Sequence, residues 1–260
     1  MKRLFVFGCS YTSWSIPTWA DILGTGYDQF ENWAVQGTGN RSIVERLSEC
    51  IISRNITADD TIIVQWTDFH REDYHRPGLL PNMNWARSGS ILVNPNTSQI
   101  IKDSWDEFSY VMHSMNYINL GINLLRNQSC TWFVTSSVDL TQDFEQFPSL
   151  EIYKKLFDSP QWLPCLDSII LDKSSYIGTT IQSPFGRHMD DHLTPTLQNA
   201  WLEQHLLPKL DIKIYKGFLQ KIEKVLGPNN ILHVDNPDNL DLALLMPADW
   251  TRLRTAIQGL

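Results

Sequence analysis

Apolar residues are spaced along this chain in two rhythms, and the switches between them mark its elements. Arg3–Leu4–Phe5–Val6–Phe7 is a short apolar run stopped by Gly8, the pattern of a buried first strand. Residues 17–23 read as a short helix with Pro17 in its first turn. Asn32–Trp33–Ala34–Val35 is a second short strand, closed by Gln36–Gly37–Thr38–Gly39–Asn40. Over 42–54, Ile43, Val44, Leu47, Ile51 and Ile52 share one helical face. Thr61–Ile62–Ile63–Val64–Gln65–Trp66 is a third strand, and its β-branched run suits burial on both faces. Helical spacing returns over 105–125, and Thr131–Trp132–Phe133–Val134–Thr135 is a fourth strand. Further on, 196–210 and 213–226 read as helices, 230–234 as a late strand and the tail to 260 as partly helical.

Two stretches break the rhythm. Residues 72–103 are rich in Pro, Asn, Arg and Ser and read as a long irregular insertion, of the kind that forms lids or binding surfaces. Residues 136–190 are irregular apart from a short helix near 150–157. Strands alternating with helices imply βαβ units, hence an α/β fold with a mainly parallel sheet covered on both faces. The simplest organisation is a single domain over 1–260, with the insertion at 72–103 and a C-terminal extension at 213–260. In parallel sheets ligands collect at the carboxyl ends of strands, and Ser10, Gly37 and Thr67 each follow a predicted strand by a few residues. They are expected on one rim.

Composition mainly excludes. A net charge of −8 argues against a nucleic-acid surface, which needs a stripe of Lys and Arg to neutralise phosphates. No window approaches the ~20 consecutive apolar residues of a membrane span. Behind Met1–Lys2–Arg3 only four apolar residues follow, against roughly 7–15 in a secretory signal, so a cytoplasmic protein is expected. Cys9, Cys50, Cys130 and Cys165 have no CxxC spacing and are expected as buried free thiols rather than disulfides or a zinc site.

The chemistry-bearing residues sit far apart in sequence. Ser10 follows the first strand in Gly8–Cys9–Ser10–Tyr11–Thr12, where several α/β hydrolases place a nucleophile. Asp190–Asp191–His192 opens a helix-like run about 180 residues later. Together they make a possible triad in the order Ser…Asp…His. Each residue also has a plain structural reading: Ser10 as a strand-end cap, His192 as a helix-entry side chain, Asp190 as a charge favourable to a helix N-terminus. Gly37 as a turn glycine with positive φ is compatible with presenting its N–H. Arg71, near the same rim, could bind an anionic group or pair with a carboxylate. Trp14 and Trp66 adjoin the site and either stack on a substrate or belong to the core. His70, His75 and His188 lack a tight metal-ligand spacing and read as surface histidines.

These blocks resemble the SGNH (GDSL-type) hydrolase superfamily. Gly8–Cys9–Ser10 is similar to its Gly-Asp-Ser block, Asn32–Trp33–Ala34–Val35–Gln36–Gly37–Thr38–Gly39–Asn40 to its glycine block, and Gln65–Trp66–Thr67–Asp68 stands where it has Gly-x-Asn. Met189–Asp190–Asp191–His192–Leu193–Thr194–Pro195 is similar to its final Asp…His block, in which the His begins the last core helix. The resemblance covers about 1–72, 128–137 and 188–210. It implies a three-layer α/β/α sandwich with a flavodoxin-like sheet that hydrolyses or transfers acyl esters, with a small-molecule or glycan ester as substrate and neither metal nor organic cofactor. Ser10 would be the nucleophile, His192 the general base and Asp190 the orienting acid, with Asp191 the less favoured alternative. The N–H groups of Ser10 and Gly37 would form part of the oxyanion hole. Two departures stand out: Cys9 replaces the usual Asp, and Thr67 replaces the usual Asn. Thr67 or Asn40 is then the third oxyanion donor, and losing such a donor costs about 10²–10³ in turnover. Three functions follow: an esterase acting on a small ester such as an O-acetylated sugar, an O-acyltransferase using the same site, or a catalytically silent binding module favoured by the missing Asn.

Overall fold

Strand β3 (Thr61–Trp66) lies where the β-branched run puts it, with all six residues buried. It is an interior strand of a four-stranded, mainly parallel sheet flanked by helices, in the order β2 (Gln29–Asn32), β1 (Arg3–Phe7), β3, β6 (Thr131–Ser136). β3 and β6 run parallel, from Thr61 opposite Thr131 to Trp66 opposite Ser136. Beyond β6, Trp162 makes one parallel bridge to Val134, with Val134 N donating to Gln161 O at 2.9 Å and Leu163 N to Val134 O at 2.8 Å. The order reverses between β1 and β3. In sheets of this kind that switch point is where a crevice opens beyond the carboxyl ends of the strands.

The computed structural model describes residues 1–14, 17–75, 85–90, 99–104, 106–142, 144, 147–169, 178–183, 186–226 and 231–233, with backbone alone over 74–75, 85–90, 100–101, 178–183, 186–191, 223, 225–226 and 231–233. The predicted helical tail to 260 lies outside them. The chain forms two compact units, one of Met1–Leu4, Tyr11–Asn32 and Ile169–Leu260, the other of Phe5–Ser10 and Trp33–Ser168. In the second unit, Phe5, Phe7, Val64 and Trp66 from the strands pack with Leu47 of α2 (Asn40–Arg54) and Met115, Ile118 and Ile122 of α4 (Glu107–Arg126). The first unit has its own core, in which Trp19 of α1 (Trp19–Gly24) meets Trp201 of α5 (Pro195–Trp201) at 6.0 Å between ring centres, with Phe218 of α6 (Lys216–Leu226) also buried.

The stretch expected to be irregular over 72–103 is in part regular. β4 (Arg71–His75) and β5 (Trp85–Ser90) pair antiparallel, and α3 (Gln99–Asp103) follows. No apolar alternation announces β4 over Arg71–Asp73, where the buried side chain is that of Asp73. Likewise the later irregular stretch ends in β7 (Gly178–Ser183) and β8 (Gly186–Leu193), two polar strands that pair with each other, while β9 (Ile231–His233) joins β7 in parallel. The helix expected over 196–210 is regular only to Trp201, then widens to a π turn over Leu202–Leu206 and tightens to 3₁₀ over Leu207–Lys209. Pro208 has no N–H for the helical ladder and its ring crowds the preceding turn. Cys9, Cys50 and Cys130 are buried free thiols and Cys165 is half-buried. No described helix is long and apolar enough to cross a membrane.

Candidate active site

Ser10 follows β1 at the switch point and is 5% exposed. The loop after β2 is laced to the same strand end: Val35 N donates to Gly8 O at 3.1 Å, and the Thr38 hydroxyl reaches Gly8 O at 3.4 Å. Thr38 N closes a turn onto Val35 O at 3.4 Å, with Gly37 at φ 72°. A positive φ at the third position alone marks a type II turn, which explains glycine there. Among the described residues, neither the Ser10 nor the Gly37 amide donates a hydrogen bond. Two N–H groups beside a buried serine are what an oxyanion needs.

Asn40, the first residue of α2, joins this loop to the end of β3. Its Nδ2 donates to Thr67 O and its Oδ1 accepts from Thr67 N, both at 2.9 Å. The bracket occupies one of the two amide hydrogens of Asn40 and leaves the other. Thr67 is fully buried, and its Oγ1 has no hydrogen-bond partner among the described residues. Trp66 is also fully buried, packed against Gly121 of α4. Arg71 is half-buried and extends its Nη1 toward Thr38 O at 3.5 Å.

Asp73 is a residue that the sequence pattern does not single out. It is 1% exposed, its Oδ1 and Oδ2 both lie 2.9 Å from Gly39 N, and Oδ2 accepts from Ser42 N at 3.0 Å. Helix α2 is preceded by Gly39, which has no side chain to cap it, and Asp73 supplies the acceptor from another element. A Cβ on Gly39 would meet Arg71 O at 2.6 Å and Asp73 Oδ2 at 2.8 Å, so glycine is required where β4 presses on the turn. Burial raises the Asp73 pKa, and the Gly39 and Ser42 amides pull against it. The missing cap was the available signal: a helix opening Gly39–Asn40 needs an acceptor from elsewhere.

Beside Thr67, Asp68 Oδ1 accepts from the His70 amide and lies 2.8 Å from His70 Nδ1, while His70 Nε2 is 3.6 Å from Glu107 Oε1. Burial alone would raise the Asp68 carboxyl. The His70 hydrogen bonds, with the charges of His70 and Arg71, hold it below its ordinary value. A cavity of about 290 Å³ opens past the end of β6, lined among others by Ser136, Leu140, Phe157, Trp162 and Cys165.

In the first unit His192 does not begin a helix, as the sequence pattern led us to expect. It is the penultimate residue of β8, and α5 starts at Pro195 behind its cap Thr194, whose Oγ1 accepts from Leu197 N at 3.4 Å. Thr-Pro is a helix-start signal in itself, so the residues before it belong to the strand. Thr179 faces Asp190 and Gly178 faces Leu193, so Asp191 and His192 lie at a bulge between these two register pairs. The side chains of Asp190 and Asp191 lie outside the described part. The His192 ring is stacked on Trp14, 4.1 Å between centres at 26°, and meets Tyr11 at 4.7 Å and 50°. Buried Gln198 braces the strand end: its Nε2 donates to Leu193 O and its Oε1 accepts from Trp19 N, both at 2.7 Å.

No family model matches the chain, and no curated protein matches it. Among solved structures it is similar to the crystal structure of TesA, at 10% identity and a TM-score of 0.47 over 80% of this chain and 98% of that one. It is also similar to a member of the lipolytic protein G-D-S-L family from Veillonella parvula DSM 2008, at 11% identity and a TM-score of 0.46 over 81% of this chain and all of that one.

Proposed function

We propose that the protein is a serine hydrolase that cleaves a small carboxylic ester, an O-acetylated carbohydrate being one substrate of that class. Ser10 Oγ attacks the ester carbonyl while His192 takes its proton. The tetrahedral oxyanion is received by the N–H groups of Ser10 and Gly37, with the Thr67 hydroxyl and the second Asn40 N–H as further donors. His192 returns the proton to the leaving alcohol, then activates the water that releases the acyl group from Ser10. Asp190 holds His192 in the tautomer this requires.

The observation that carries the reading is a buried serine at the switch point of the sheet, with neither its own amide nor that of Gly37 donating a hydrogen bond among the described residues. Each such donor is worth about 10²–10³ in turnover, because it is already oriented when the charge develops. An acyltransferase would use the same groups with an alcohol in place of water, and a dependence of turnover on added sugar acceptor separates the two.

Labelling by a fluorophosphonate, read by intact mass and peptide mapping, tests the proposal. One adduct on Ser10 is expected in the wild type, none in Ser10→Ala and far slower labelling in His192→Ala. A folded wild type that takes no adduct overturns the reading in favour of a binding module.

A further inference from the structure

We propose that Trp14 is a positioning residue for His192, holding the imidazole by its face rather than serving as a platform for substrate; the role rests on reading His192 as the general base. Asp191 and His192 lie at a bulge of β8 between two register pairs, so strand pairing alone does not settle where the ring points. The ring contacts do. Trp14 lies against the imidazole at 4.1 Å and 26°, and Tyr11 closes at 4.7 Å and 50°. By contrast, His113 lies 6.5 Å from the Tyr110 ring and His205 6.0 Å from the Trp201 ring. A stacked contact on one face and a tilted one beside it leave the ring edge, which carries both nitrogens, directed away from the faces that hold it.

The holder is itself anchored. Thr12 O, between Tyr11 and Trp14, accepts from Thr18 Oγ1 and from Asn32 Nδ2, both at 2.8 Å. Thr18 begins the run into α1, whose Trp19 N is bonded to Gln198 Oε1, and the same amide fixes Leu193 O beside His192. The Trp14 loop and the His192 strand end are thus tied through one buried side chain as well as through stacked rings. A substrate platform needs its face available, and this Trp14 face is covered by His192.

The test uses the full chain with ring-labelled histidine. The His192 carbon-bound protons, identified by their loss in His192→Ala, are expected upfield of the ordinary histidine range because they lie over the indole. Trp14→Ala should return them to that range, slow fluorophosphonate labelling of Ser10 about 10²-fold and lower kcat on p-nitrophenyl acetate by a similar factor with KM within about twofold, since a misplacement near 1 Å costs about that much. Trp14→Phe keeps a ring face and should recover most of the rate and of the shift. The proposal is overturned if Trp14→Ala labels at the wild-type rate, if its His192 resonances do not move, or if KM rises with kcat kept, the signature of a lost platform. A wild type that forms no Ser10 adduct instead overturns the base reading on which the proposal rests.

Discussion

Around Ser10 hydrogen bonds between strand ends and buried side chains hold the chain, whereas the contacts described around His192 include two aromatic rings and one braced carbonyl. Asn40 and Asp73 each fasten backbone to backbone in the second unit: Asn40 brackets Thr67, and Asp73 gathers the Gly39 and Ser42 amides. In the first unit, Trp14 and Tyr11 contact the imidazole itself, and Gln198 holds only its neighbour Leu193. The difference suits the two tasks proposed for Ser10 and His192. A nucleophile beside an oxyanion hole needs N–H vectors fixed to a fraction of an ångström, which hydrogen-bonded backbone provides. A base that takes and returns a proton needs its ring fixed with one nitrogen kept for that proton, which contact between rings allows.

The contrast can be broken at each fastening. Asp73→Ala should have the largest effect, since it leaves the Gly39 and Ser42 amides buried without their charged acceptor and strips the cap from α2. The loss expected is about 3 kcal/mol, seen as a thermal midpoint lower by about 6–12 °C, with Ser10 labelling slowed as the Gly37 turn loosens. A midpoint within a degree of wild type would show that Asp73 holds nothing. Asn40→Ala and Gln198→Ala should each cost about 2 kcal/mol, because each orphans a buried N–H and a buried carbonyl. Their functional effects should separate: Asn40→Ala slows Ser10 labelling and leaves the His192 resonances in place, while Gln198→Ala moves those resonances. If both variants shift both readouts alike, the two regions are not fastened independently.

What could be read in advance follows the same division. β3 and β6 were legible because strands buried on both faces are runs of Ile, Val, Phe and Trp. Gly37 was legible because a turn with φ near 70° leaves little choice but glycine. β7 and β8 were not, since GTTIQS and GRHMDDHL carry no apolar alternation and pair with each other. The strand setting of His192 could have been inferred from Thr194–Pro195, whose cap-and-proline signal fixes the helix start three residues later. Asp73 could not have been named, because its partners lie 31 and 34 residues away and only the fold brings them together. Its necessity was visible all the same in a helix that opens on Gly39–Asn40.

The smallest effect sharpens the comparison within a single strand. Glu72 and Asp73 are neighbours on β4, and successive strand residues point to opposite faces. Asp73 meets backbone amides. Glu72 is raised to about 7, chiefly by burial and then by the charge of Asp73, with Arg41 opposing. A carboxyl whose folded pKa lies above its unfolded value binds more protons in the native state between the two values. Its contribution to stability is therefore full below about 4.5 and is lost as pH rises through about 7. Glu72→Gln stays neutral throughout and should match wild type near pH 4. At pH 8 it should be the more stable by about 1 kcal/mol, a figure reduced for the partial exposure of the group, or about 2–4 °C in thermal midpoint. Midpoints measured from pH 4 to 8 decide it: curves that stay parallel across the range would mean that Glu72 carries no shifted proton, and that the Asp73 side of β4 alone matters to the turn before α2.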